Sequence, residues 1–128
     1  MAEFETEGDE LVLRMTTLEK AEGFHGDIGV PLASVRQVRA EPTAWHGDSL
    51  RGLRAPGTGL PNVVMVGTRR GDFGKDFAAV HGTGPAVVVD LAGAEYHRLV
   101  ATIRDAKGVA ARLRAAAEAA GGGPDPPG

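Results

Sequence analysis

The sequence predicts a mainly β protein in which about seven short antiparallel strands form a partly open barrel capped by one C-terminal α-helix. Three observations support this fold class: several short segments alternate apolar and polar residues, Gly and Pro separate them, and one Ala- and Arg-rich amphipathic segment lies near the C-terminus. Because strands leave one end of a closing sheet open, we expect the apolar stripe of the helix to cover that end.

The strands are predicted from the period of two that a half-buried strand imposes on its apolar residues. The predicted strands are 10–18, 24–30, 36–41, 63–69, 75–81, 85–91 and 96–103. Val35 and Val38 are spaced by three, so a bulge or one helical turn must come between them. The last segment, 96–103, also fits a helical stripe, and we favour a strand because Gly93 and Asp105 bracket it as turn and cap.

The ends of the chain and one internal segment are predicted to be irregular. Residues 1–8 form an acidic, flexible N-terminus, and 121–128 form a Gly/Pro-rich disordered tail after a helix that begins behind its N-cap, Asp105. The domain then covers 9–120. Within it, 42–61 contains too many Gly and Pro residues for regular structure, so we expect a long loop of the kind that is functional or disordered.

Composition excludes several classes of protein. Hydrophobic residues make up 42% of the chain and charged residues 24%, which is typical of a globular domain. No apolar run is long enough for a transmembrane segment, and the acidic N-terminus does not resemble a secretory signal, so we expect a cytoplasmic protein. The absence of cysteine excludes disulfides, thiolate metal sites and cysteine nucleophiles.

Charge is distributed unevenly along the chain. The net charge is −3, with acidic residues concentrated before position 28 and basic residues between 36 and 75. The overall sign argues against nucleic acid as a partner but allows a local anion site. The candidate ligand-binding residues are Arg51, Arg54, Arg69, Arg70 and Lys75, together with Trp45. The basic residues alternatively form a solvated strand edge that discourages aggregation, and Trp45 either anchors the loop or contributes to a partner surface.

No catalytic residue is predicted, and no cofactor. Imidazole and carboxylate lie two positions apart in the pairs His25 with Asp27 and His46 with Asp48, which together offer metal ligands but also fit two polar turns. The overlapping tripeptides within 70–74 belong to one hairpin turn, because kinase chemistry requires a far longer chain with several further motifs.

Four features of the chain are similar to those of bacterial pleckstrin-homology-like domains. They are the entry to the third strand at 30–38, the long Gly/Pro connection after it, the pattern Gly93-x-x-Tyr96-x-x-Leu99-Val100, and the final helix that Asp105 begins. The resemblance covers 9–120, and the stretch 52–64 also resembles a segment of small actinobacterial proteins. Lipid-binding eukaryotic members hold a phosphoinositide with basic residues between the first two strands, whereas here 18–23 is acidic on balance, which argues against that ligand.

The sequence therefore favours a non-enzymatic binding or scaffold module whose partner is another protein or a second copy of the chain, with self-association through exposed strand edges. Two alternatives stay open. One is binding of a small anion, a phosphorylated ligand or an anionic membrane surface by the Arg-rich loop and hairpin. The other is a small metal-dependent enzyme that uses His25, Asp27, His46 or Asp48.

Overall fold

A computed structural model of the chain describes residues 2–23, 26–45 and 47–123, without the side chains of 23 and 53–58. These residues form nine strands and two α-helices, with a 3₁₀ turn at Leu32–Ser34. In chain order the elements are β1 Glu3–Glu7, β2 Glu10–Arg14, α1 Thr17–Gly23, β3 Ile28–Pro31, β4 Val35–Glu41, β5 Leu53–Leu60, β6 Val64–Gly71, β7 Gly74–His81, β8 Ala86–Leu91, β9 Arg98–Thr102 and α2 Ala106–Ala119.

The strands form two sheets. The small sheet has the order β1-β2-β3, and the large sheet has the order β4-β8-β9-β7-β6-β5. The mainly β fold with a C-terminal helix is thus confirmed. Neither described sheet closes on itself, so the partly open barrel of about seven strands is not confirmed. One pair, β7 with β9, is parallel, which departs from the predicted antiparallel arrangement.

Three segments differ from the sequence-based prediction. Residues 1–8 were expected to be flexible, but they contain β1, which pairs along its full length with β2. The loop predicted at 42–61 contains β5, whose pairing with β6 shifts register between Arg54 and Gly57. Pro56 lies in that irregularity of an edge strand, where a missing amide hydrogen does not interrupt the ladder. Of the predicted tail at 121–128, residues 124–128 lie outside the described residues.

The third difference is α1, which replaces the end of the predicted first strand and the polar turn after it. A capping box begins this helix: the amide of Thr16 donates to Glu19 Oε1 at 2.9 Å, and the amide of Glu19 donates to Thr16 Oγ1 at 3.2 Å. Two donors that a helix start would leave unpaired are therefore satisfied. In the sequence, this helix start is indicated by Glu19 three residues after Thr16.

The helix α2 agrees with the sequence prediction. The side chain of Asp105 accepts a hydrogen bond from the amide of Gly108 at 3.2 Å and caps the helix. The buried positions of α2 are Ala106, Ala110, Leu113 and Ala117. They join a core with the inner face of the small sheet and one face of the large sheet. Strand β9 forms within the predicted segment 96–103, and Leu99, Ala101 and Ile103 lie in this core.

Candidate functional site

An open groove of about 740 Å³ lies between the small sheet and the start of α2. One wall is β1 with the residue before it, Ala2–Thr6, and the other is formed by Ile103–Asp105 together with Val109 and Arg112 of α2. Among the described residues β1 pairs only with β2, so the groove runs along a sheet edge that no described strand covers.

The register of the β1-β2 hairpin determines which backbone groups face this groove. Glu7 pairs with Glu10 across the turn Gly8-Asp9, and Gly8 has φ +58°, a conformation that favours glycine. In a two-residue hairpin the closing pair is hydrogen bonded, so alternate residues of β1 direct their amides and carbonyls away from β2. Those residues are Phe4 and Thr6. Accordingly, Arg112 Nη2 of α2 donates to the carbonyl of Phe4 at 3.0 Å.

The outer face of β1 is acidic. Glu3, Glu5 and Glu7 share that face because side chains alternate along a strand. Arg14 of β2 lies next to them: its Nε is 2.5 Å from Glu5 Oε2, and its Nη2 contacts Glu7. The hydrogen bond to Glu5 raises the pKa of Arg14. One arginine shared among several carboxylates leaves the face negative.

The predicted ligand residue Arg51 lies in a bidentate ion pair with Asp76. Its Nε is 2.7 Å from Asp76 Oδ2 and its Nη2 is 3.0 Å from Asp76 Oδ1, and the carboxylate side chain is only 3% exposed. The guanidinium also lies 4.1 Å from the ring centroid of Phe73. The hydrogen bond to Asp76 raises the pKa of Arg51. This arginine holds the segment before β5 onto β7.

The other predicted basic residues are placed separately. Arg69 adjoins Arg51, since its Nε donates to the carbonyl of Arg51 at 2.9 Å and its Nη2 donates to that of Gly52 at 2.8 Å. Lys75 instead binds Glu95 at 2.7 Å and lies 4.5 Å from the ring centroid of Tyr96. Arg70 is exposed on β6, and the side chain of Arg54 lies outside the described residues.

Trp45 connects the segment after β4 to the large sheet. Its Nε1 donates to the carbonyl of Gly82 at 2.7 Å, and its ring packs on a second apolar cluster formed by the outer face of that sheet. Of its two predicted roles, the geometry favours anchoring.

Charged side chains lie on the same outer face. Arg98 of β9 is 5% exposed, and its Nε is 2.5 Å from Asp90 Oδ1 of β8. Its Nη1 donates to the carbonyl of Asp48 at 2.5 Å. The two ion pairs, Arg98 with Asp90 and Arg51 with Asp76, therefore place charged side chains on β7, β8 and β9. The segment that leads to β5 contacts these side chains through Asp48 and Arg51. The loss of hydration offsets much of the attraction in such partly buried ion pairs, so they add little net stability.

The candidate metal ligands are only partly described. His25 and His46 lie outside the described residues, and no group of three or more His, Asp or Glu residues suited to a metal occurs among those that are described. Asp27 accepts a hydrogen bond from the amide of Met15 at 2.9 Å, which lowers the pKa of its carboxyl. Arg39 lowers the pKa of Asp48 through a 3.0 Å hydrogen bond. Both carboxylates thus have structural partners.

Sequence reasoning missed a second pocket, of about 320 Å³, between β4 and the C-terminal half of α2. Arg36, Arg39 and Arg114 line it, together with Glu118. It also missed the groove beside β1. A signal was present for the pocket, because Arg36 lies within the predicted bulge and Arg39 follows it. None was present for Arg114, since helical spacing does not show which strand edge a helix covers.

Comparison with known proteins adds no relative: no family model, curated protein or solved structure matches the chain. The likeness to pleckstrin-homology-like domains therefore stays a prediction. Within the described ranges, no helix is long and apolar enough to cross a membrane.

Proposed function

We propose that this protein is a non-enzymatic binding module that captures an extended, basic polypeptide segment as an added strand on β1. The observation that carries the proposal is the groove beside β1, which is lined by the free edge of that strand. An exposed edge presents amides and carbonyls that pair readily with another extended chain.

The groove supplies two kinds of contact besides the backbone. Ile103 and Val109 on the opposite wall suit small apolar side chains on the inner face of an added strand. On the outer face, an added strand would lie directly beside Glu3, Glu5 and Glu7. Cross-strand neighbours of opposite charge stabilise a sheet, so we infer that the partner alternates lysine or arginine with apolar residues.

The same charges argue against self-association through β1. If two copies paired antiparallel with Phe4 opposite its equivalent, Glu3 of one copy would face Glu5 of the other. Like charges directly opposite each other destabilise a strand pair. The partner is therefore a different segment, and self-association is an outcome that the experiment must distinguish.

The test uses a fluorescent heptapeptide of alternating lysine and valine, with a glutamate and valine heptapeptide as the charge control. Fluorescence anisotropy should show that only the lysine peptide binds the full chain, with affinity that falls as salt rises. Light scattering should show a monomeric protein at the same concentrations. Equal binding of both peptides, or a dimer whose formation depends on β1, would contradict the proposal.

A matched pair of variants at Thr6 locates the binding. The amide of Thr6 points away from β2, so Thr6→Pro removes a donor from the free edge and leaves the β1-β2 ladder intact. We expect peptide affinity to fall about tenfold or more, because the added strand loses a hydrogen bond and meets the proline ring. Thr6→Val keeps the amide and should bind as the parent does. Indistinguishable affinities of the two variants would exclude strand addition at β1.

A further inference from the structure

We infer a binding site for a small oxyanion, a phosphate or carboxylate group, in the pocket between β4 and α2. The site is separate from the groove beside β1 and does not depend on the proposed function. Three arginines and one glutamate line it, and because Arg39 is paired with Glu41 and Asp48, Arg36 and Arg114 supply its excess of positive charge over Glu118.

Arg114 is held ready for an anion by the backbone of β4. Its Nε donates to the carbonyl of Val38 at 2.8 Å, which fixes the plane of the guanidinium at the pocket wall. A guanidinium has further donors on Nη1 and Nη2. No partner among the described residues takes them. A carbonyl carries no formal charge, so this hydrogen bond does not neutralise the arginine.

Arg39 contributes a buried donor. Its Nη1 and Nη2 bind Glu41 at 3.3 Å and Asp48 at 3.0 Å, while its Nε is buried without a hydrogen-bond partner in the described chain. A buried donor without a partner is costly, and a side-chain shift that brings Nε to an anion oxygen in the adjacent pocket would relieve that cost. The carboxylates of Glu41 and Asp48 orient the guanidinium of Arg39.

Arg36 adds charge from the bulge of β4. Its Nη1 donates to the carbonyl of Ala33 at 2.8 Å, and the pairing of β4 with β8 shifts register at this position. The bulge lets Arg36 and Arg39 line one pocket although an uninterrupted strand would direct them to opposite faces. Planar guanidinium groups match the oxygen atoms of phosphate and carboxylate, so arginines that line one pocket suit such an anion.

The negative charge of Glu118 in the pocket lining disfavours anion binding, so removing it should change the affinity in the opposite direction to removing Arg114. It lies four residues after Arg114 on α2, and both line the pocket. Neutralising Glu118 should therefore strengthen anion binding, while neutralising Arg114 should weaken it. A variant that gains affinity cannot be explained by unfolding.

The experiment titrates the full chain with inorganic phosphate and separately with acetate, at ionic strength held constant with chloride. Calorimetry gives affinities, and NMR follows the Nε–H resonances of Arg39 and Arg114. We expect saturable shifts of both resonances, and the tighter of the two probes identifies the oxyanion class. Arg114→Gln should weaken binding about tenfold, and Glu118→Gln should strengthen it about two- to fivefold.

Lys107→Gln is the matched control, because it removes the same charge from an exposed position of α2 outside the pocket lining. It should leave the affinity unchanged, and circular dichroism should show that Arg114→Gln is folded. The inference is overturned if neither probe gives saturable shifts, if Lys107→Gln weakens binding as much as Arg114→Gln does, or if Glu118→Gln brings no gain.

Discussion

Two sheet edges flank the same helix and differ in how far α2 covers them. At β4, Arg114 of α2 donates to the carbonyl of Val38 at 2.8 Å, and the amide of Gly123, beyond the helix end, donates to that of Val35 at 2.7 Å, which leaves a pocket of about 320 Å³. At β1 the helix supplies one hydrogen bond, from Arg112 to Phe4, and a groove of about 740 Å³ remains. The difference shows that one helix can close one edge to added strands and leave the other accessible.

The largest expected effect comes from Leu113, the largest buried side chain of α2, the helix that lies between the two edges. Its side chain is 1% exposed within the core. Leu113→Ala should lower the free energy of unfolding by about 2–5 kcal/mol, because it removes buried methyl groups and leaves a cavity. Urea denaturation gives the value. A loss below about 1 kcal/mol would mean that the helix does not depend on this contact.

The next effect concerns the edge at β4, which α2 covers through Arg114. Arg114→Ala removes the donor to the carbonyl of Val38, a residue that is 3% exposed. We expect a loss of about 1–3 kcal/mol in urea denaturation, the cost of leaving a buried acceptor unpaired. Arg114→Lys, which retains the charge, shows how much of the loss follows from the guanidinium geometry. A stability equal to that of the parent would mean that α2 does not close this edge.

A smaller effect on the free energy of unfolding is expected at the edge of β1, beside the groove. Arg112→Ala removes the hydrogen bond to the carbonyl of Phe4 and should cost only about 0.5–1.5 kcal/mol. The freed carbonyl should let the lysine and valine peptide bind about two- to fivefold more tightly, as anisotropy would show. Weaker binding by this variant would indicate that the peptide contacts Arg112 itself.

The smallest effect is a pH dependence of the free energy of unfolding, from a contact between Met15, just after β2, and Asp27, just before β3. The amide of Met15 lowers the pKa of Asp27, so this carboxylate stabilises the fold above the ordinary aspartate pKa of about 4. The contribution is lost as pH falls through the lowered pKa. Urea denaturation of Asp27→Asn and the parent should therefore converge as pH is lowered from 6 to 3. A difference that stays constant over that range would contradict the role of this hydrogen bond.

The apolar half of the fold could be predicted because burial imposes a period on the sequence. Leu99 and Ala101 lie on one face of the strand predicted at 96–103 and Leu113 lies on the apolar stripe of the predicted helix, and all three are in the core. The hairpin of β6 and β7 was predicted from its Gly-rich turn, and Gly71 does pair with Gly74. In these segments the residues close along the chain were enough to predict the secondary structure and the buried face.

The polar half could not be predicted, because its contacts join residues that are distant along the chain. Arg51 binds Asp76 across the sheet, and the register of β7 beside β9 brings Asp76 next to Arg98. Spacing gives no information on such pairs. The same reason hid the groove beside β1, whose walls come from opposite ends of the chain, at Phe4 and Arg112.

Amide hydrogen exchange at β1, followed by NMR, tests the central claim most directly. The amide of Thr6 should exchange rapidly in the free protein, while those of Glu5 and Glu7, which face β2, should be protected. Addition of the lysine and valine peptide should then protect Thr6. An amide of Thr6 that is already protected in the free protein, or that exchanges equally fast in the presence of saturating peptide, would contradict strand addition at this edge.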